Sequence, residues 1–101
     1  MQKELDAEAL PVEVKILGLN AIGLEVGNPT ITAGRTLPWL QDVPEQNVWV
    51  TWNVVWRDVW ILDTNNMPVG VYNLTEHNLS DPVQYAELKA MLENVANGAP
   101  P

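Results

Sequence analysis

VWVTWNVVWRDVWILD, residues 48–63, supports two incompatible readings. Trp49, Trp52, Trp56 and Trp60 fall at i, i+3, i+7 and i+11, the spacing of one helical face. Against this, Val48, Val50, Thr51, Val54, Val55, Val59 and Ile61 are β-branched, and their stiff χ1 favours strands over helices. Dividing the stretch satisfies both signals: a helical turn over 45–52, then a strand from about 56 to 63. TNNMP at 64–68 is a turn and VGVYNLT at 69–75 a second strand, giving an antiparallel hairpin with a loop of about five residues.

Outward from the hairpin, Asp81 is placed to cap a final helix, with Pro82 at its first position and Gln84 completing a capping box. Tyr85, Leu88, Leu92 and Val95 give that helix an apolar face, and Gly98-Ala-Pro-Pro ends it. On the other side, residues 2–10 are strong helix formers stopped by Pro11. VEVKILGLNAI at 12–22 alternates at first, with Val12, Val14 and Ile16 opposite Glu13 and Lys15, then turns almost continuously apolar. That pattern predicts a strand entering a buried parallel environment. Residues 23–47 carry three glycines and three prolines (Gly23, Gly27, Pro29, Gly34, Pro38 and Pro44), which predicts irregular structure with short helical turns. No repeat or linker is visible, so one unit over residues 1–101 is expected.

Composition narrows the function. The chain has 101 residues, 47% of them hydrophobic, which suits one globular domain. Net charge is −8, and Lys3, Lys15, Arg35, Arg57 and Lys89 are scattered, so nucleic acid and anionic membrane are not expected partners. The apolar runs are too short or interrupted to span a bilayer, and a soluble, cytoplasmic protein is expected. There is no cysteine, which removes disulfides, thiolate catalysis and Cys-based zinc sites together. No phosphate-binding glycine loop, nucleophile elbow or zinc-protease helix motif is present, and no cofactor or metal is expected.

The order helix end, strand, long loop, LPWLQD (37–42), helical turn, hairpin, helix resembles the thioredoxin fold. The redoxin and peroxiredoxin-like families are the nearest in pattern. Leu37-Pro-Trp-Leu-Gln-Asp42 is similar to their FPLL-x-D segment, and Trp52 to Asp63 to their approach into the third strand of the minimal fold. The resemblance implies an α/β, truncated thioredoxin-like mixed sheet with an antiparallel C-terminal hairpin. It also implies that the family's first strand and thiol-bearing helix start are missing before Met1, and that strand sits between the strands expected at 12–20 and 56–63. The proline that thioredoxins hold in cis beside their thiols has no counterpart either, since Arg57-Asp58-Val59 stands there. No catalytic residue of the family carries over.

A missing central strand leaves backbone donors and acceptors without partners, each costing roughly 1–3 kcal/mol if buried. The two flanking strands could pair directly, a partner chain could insert a strand, or two copies could join edge to edge. A homodimer is therefore expected, with Val14, Ile16, Trp56 and Trp60 at its interface. Five Trp and two Tyr with no Phe fit that reading, because Trp is favoured at interfaces, although core filling or ligand stacking would use the same residues.

The polar candidates are few. Glu76, His77 and Asp81 could form an acid/base or metal cluster, but Asn78, Ser80 and Asp81 are also what a turn and a helix cap require. Asp58 beside Arg57 is a charge in an apolar strand, either paired at an interface or forming a surface ion pair. Asp63 is expected to serve the hairpin turn, and Glu4, Asp6, Glu8 and Glu13 a solvated face. The expected function is a non-redox, self-associating scaffold or binding module. The alternative is a hydrolase-type or metal-assisted enzyme using Asp58, Arg57, His77 and Glu76 in a dimer cleft.

Overall fold

The computed structural model describes residues 1–34 and 38–101. Arg35 and Leu37, the latter opening the LPWLQD motif, lie outside the described residues. The elements in chain order are α1 (Gln2–Ala7), β1 (Gly18–Asn20), a 3-10 turn (Glu25–Gly27), α2 (Asn28–Thr32), β2 (Trp39–Gln41), α3 (Val48–Thr51), β3 (Asp58–Leu62), β4 (Pro68–Asn73) and α4 (Pro82–Ala96). The architecture is mixed α/β, with β1 and β2 paired in parallel and β3 and β4 antiparallel. The chain forms two compact units, Met1–Val14 with Trp56–Pro101, and Lys15–Val55.

In the first unit, β3, β4 and α4 enclose a core of Ile61, Tyr72 and Leu88. Val59, Leu74, Leu79, Met91, Leu92 and Val95 pack against it. Leu88 and Leu92 come from the apolar face read in the sequence, and burial of a leucine of this kind contributes roughly 1.5–3 kcal/mol. The hairpin turn is built by Asp63, whose carboxylate accepts the N–H groups of Asn65 (2.8 Å) and Met67 (3.0 Å). Asn66 takes a left-handed φ of 60° there, which Asn tolerates better than most residues. α4 begins as expected, with the Asp81 carboxylate accepting the Val83 N–H at 2.8 Å and Pro82 at the first position. Gln84 does not close a capping box onto Asp81; its Oε1 accepts the Asn78 N–H instead, tying the preceding loop to the helix.

The N-terminal expectations are corrected in extent. Helix α1 ends at Ala7 rather than at residue 10, because Glu8 is already extended (φ −84°, ψ 145°). The strand expected over 12–22 is confined to Gly18–Asn20. Residues 12–17 keep the alternation, with half-buried Val12, Val14 and Ile16 between exposed Glu13 and Lys15, but belong to no strand.

In the second unit, β2 forms inside a stretch expected to be irregular. The reason is close packing across the parallel pair. Gly18 lies opposite Trp39, and a Cβ on Gly18 would fall 2.1 Å from the indole. Only glycine lets that ring lie against β1. The indole is then fixed by its N–H, which donates to Asn28 Oδ1 at 2.7 Å.

Candidate functional site

The β3–β4 hairpin presents two different faces and, as a two-stranded sheet, two outer edges, one along β3 and one along β4. Leu74 N–H donates to Arg57 C=O at 2.9 Å, and the register sets Val59 opposite Tyr72, Trp60 opposite Val71 and Ile61 opposite Gly70. Hydrogen-bonded and non-hydrogen-bonded pairs alternate along such a ladder. This phase makes Val59/Tyr72 and Ile61/Gly70 the bonded pairs. Val71 consequently turns its backbone groups away from β3, the ladder shifts register between Ile61 and Leu62 beside Val69, and among the described residues no strand pairs with that side of β4. Side chains alternate as well, so Val59, Ile61 and Tyr72 enter the core while Trp60, Leu62, Val69 and Val71 share the opposite face. There Leu62, Val69 and Val71 are 37%, 39% and 46% exposed, and Met67 at the turn is 60% exposed.

Trp56 and Arg57 stand at the entrance to β3. Trp56 is 67% exposed, and the Arg57 guanidinium carbon lies 5.7 Å from the centroid of its ring, within cation–π range. Arg57 has a left-handed φ of 69°, a conformation that costs a side-chain-bearing residue about 1 kcal/mol or more.

The polar candidates serve local structure. Asn73 is the hub. Its Nδ2 donates to Asp58 Oδ1 (2.8 Å) and Trp56 C=O (3.1 Å), and its Oδ1 accepts the N–H groups of Thr75 (2.9 Å) and Glu76 (3.2 Å). Asp58 is thus held at the hairpin base, while the Glu76 side chain is exposed. His77 stacks on Tyr72, with ring centroids 4.2 Å apart and planes 26° apart. The buried Tyr72 hydroxyl donates to Glu87 Oε2 at 2.8 Å and also lies 3.1 Å from Gln84 C=O. Burial first, and then the adjoining Glu87 carboxylate, push the Tyr72 phenol up to about 12. The sequence cluster of Glu76, His77 and Asp81 is not assembled around a common point, and no three acidic or histidine side chains among the described residues are placed to share a metal ion.

Of the other interface candidates, Val14 is half-buried and its C=O accepts Gln2 Nε2 at 2.6 Å. Ile16 is half-buried in the segment ahead of β1. Neither lies on the strand edge that the sequence reading assigned to them, because the strand begins only at Gly18. Trp60 is half-buried on the outer face of the hairpin, opposite Val71.

Two polar clusters in the second unit escaped the sequence reading. Asp42, 2% exposed, accepts the N–H groups of Val43, Val48 and Trp49, each at 3.0 Å. Burial alone would raise its carboxyl, but the three donors outweigh it and hold the group below its usual range. Its place just after β2 and six residues before α3 was the available signal. The second cluster joins Asn20, Asn28 and Gln41: Asn20 Nδ2 donates to Asn28 Oδ1 (2.8 Å) and Gln41 Oε1 (3.0 Å), and Asn28 Nδ2 to Gln41 Oε1 (3.0 Å). Trp49 adds an indole N–H to Leu19 C=O at 3.2 Å. These contacts tie β1, α2 and β2 together and are mutually satisfied.

No protein-family model, curated protein or solved structure gives a significant match to the chain. Among the described residues, no helix is long and apolar enough to cross a membrane.

Proposed function

We propose that the chain is a non-redox, self-associating scaffold or binding module of thioredoxin-like architecture, in which two copies join through β4. The open outer edge of β4 carries this reading. Strand edges pair readily with other strands, and natural proteins usually blunt them with charge or distortion. Here the stretch from Met67 to Thr75 contains no charged residue, although the chain as a whole has a net charge of −8. Two acidic molecules can therefore meet along this stretch without bringing its side chains into like-charge opposition. Antiparallel pairing of β4 with its copy about Val71 would continue the ladder and bring exposed valines together across a two-fold axis. The absence of cysteine excludes thiol chemistry in either copy.

Light scattering across micromolar dilutions tests this. The expected mass is twice the 11.2 kDa of the chain. Val71→Lys should return the mass to a single chain, while Val83→Lys, which places the same charge on an exposed position of α4, should not. A single-chain mass for the parent, or a Val71→Lys variant that still doubles, overturns the proposal.

A further inference from the structure

Trp56 and Arg57 depart twice from what folding alone favours. Among the described residues other than glycine, a left-handed φ occurs at Asn47, Asn53, Arg57 and Asn66. Three of these are asparagine, whose short amide tolerates that region. Arg57, at φ 69°, is the exception, and a glycine or an asparagine would reverse the backbone there at lower cost. The second departure stands beside it. Trp56 leaves 67% of its surface to water, although an indole contributes most to a fold when buried. Both residues are held in place. The Arg57 C=O accepts the Leu74 N–H at 2.9 Å, and the Trp56 C=O accepts Asn73 Nδ2 at 3.1 Å. The guanidinium carbon stands 5.7 Å from the centroid of the indole. Among the described residues no carboxylate pairs with this guanidinium, although the chain carries 13 acidic residues. The adjoining Asp58 instead accepts Asn73 Nδ2 at 2.8 Å.

We propose that Trp56 and Arg57 form a binding site for a small aromatic carboxylate, with the ligand's flat ring on the indole and its carboxylate on the guanidinium. Arginine presents parallel N–H donors that match the two oxygens of a carboxylate. Offset stacking of aromatic rings adds attraction beyond the area it buries. The spacing sets the linker: 5.7 Å is covered by about three or four bonds, which places two methylenes between ring and carboxylate. An exposed ion pair alone holds a ligand weakly, and the net charge of −8 disfavours anions in general. The site therefore selects for ring and carboxylate together. Both residues come from one chain, so binding does not depend on association through β4.

Hydrocinnamate carries this ring, linker and carboxylate, and its binding to the full chain is read by ligand-detected NMR. The dissociation constant should be on the order of 1–10 mM, as expected for a ligand of this size. Hydrocinnamyl alcohol, which lacks the carboxylate, and propionate, which lacks the ring, should each bind at least about fivefold more weakly. Arg57→Lys keeps the charge but loses the fork, and Trp56→Leu loses the ring; each should weaken hydrocinnamate by a similar factor. Arg57→Asn separates binding from structure. It should abolish hydrocinnamate binding while leaving the urea midpoint no lower than the parent's, because asparagine suits the left-handed backbone. The assignment is overturned by the absence of saturable binding below about 50 mM, by equal binding of either analogue or of hydrocinnamate to Arg57→Lys or Trp56→Leu, or by a lowered midpoint in Arg57→Asn.

Discussion

Replacing Gly18 with alanine tests whether the parallel pair depends on the indole of Trp39. A Cβ there would lie 2.1 and 2.2 Å from Cε3 and Cζ3 of Trp39 and 3.3 Å from Cδ2. Carbon atoms rest about 3.5–4.0 Å apart, so the ring must retreat by more than about 1 Å. That movement strains a ring whose N–H is held at 2.7 Å by Asn28 Oδ1. Overpacking costs roughly 1–3 kcal/mol, and a weakened indole hydrogen bond about 1 kcal/mol more. The lower entropy of unfolded alanine returns roughly 0.4–1 kcal/mol, leaving a net loss of about 2 kcal/mol. Urea unfolding followed by tryptophan fluorescence should show a midpoint lower by roughly 1 M at unchanged slope. Coupling is checked by repeating the substitution in a Trp39→Leu background, where most of the loss should disappear. A Gly18→Ala variant as stable as the parent, or one equally destabilised with and without Trp39, refutes the packing argument.

Two further outcomes concern protons. Asp42 is lowered in the folded chain, so its contribution is intact above the ordinary aspartate value and is lost as pH falls through the lowered one. Asp42→Asn should therefore be less stable at neutral pH and show a shallower loss of stability below about pH 4; parallel acid-unfolding curves would contradict this. Tyr72, raised to about 12, contributes stability that is full below the ordinary tyrosine value of 10.0 and lost as pH rises through the raised one. Ultraviolet titration of a Tyr85→Phe variant, which leaves Tyr72 as the only tyrosine, should show no phenolate step near 10 while the protein stays folded.

The C-terminal part of the fold was legible because its signals are local. Asp63 and Asn66 make a turn from their own backbone and side chains, and Asp81-Pro82 starts a helix, whatever the rest of the chain does. The pairing of β1 with β2 was hidden because it depends on a contact between residues 18 and 39 and on amides whose partners are distant in sequence. The tryptophan spacing over 49–60 marks no common face, and the stretch divides, as expected, into the short helix α3 and the strand β3. Trp49 donates to Leu19 C=O, Trp56 is exposed, and Trp60 lies on the outer face of the hairpin, so the regular interval does not mark one face. The open side of β4 followed from the hairpin itself, once the phase of its ladder was known. The contacts of Glu4 with Tyr85 and of Glu8 with Lys89 required knowing that α1 returns to α4, which composition does not reveal.

Arg57, with its left-handed backbone, separates two rhythms in the chain. Before it, the direction of each side chain is set by the turn around α3; after it, side chains alternate along β3 from Val59 to Ile61, up to the register shift ahead of Leu62. A one-residue slip within a strand would send every buried side chain to the wrong face. The ladder with β4 sets the facing of β3, so an added residue ahead of Trp56 should leave Val59 and Ile61 aimed inward.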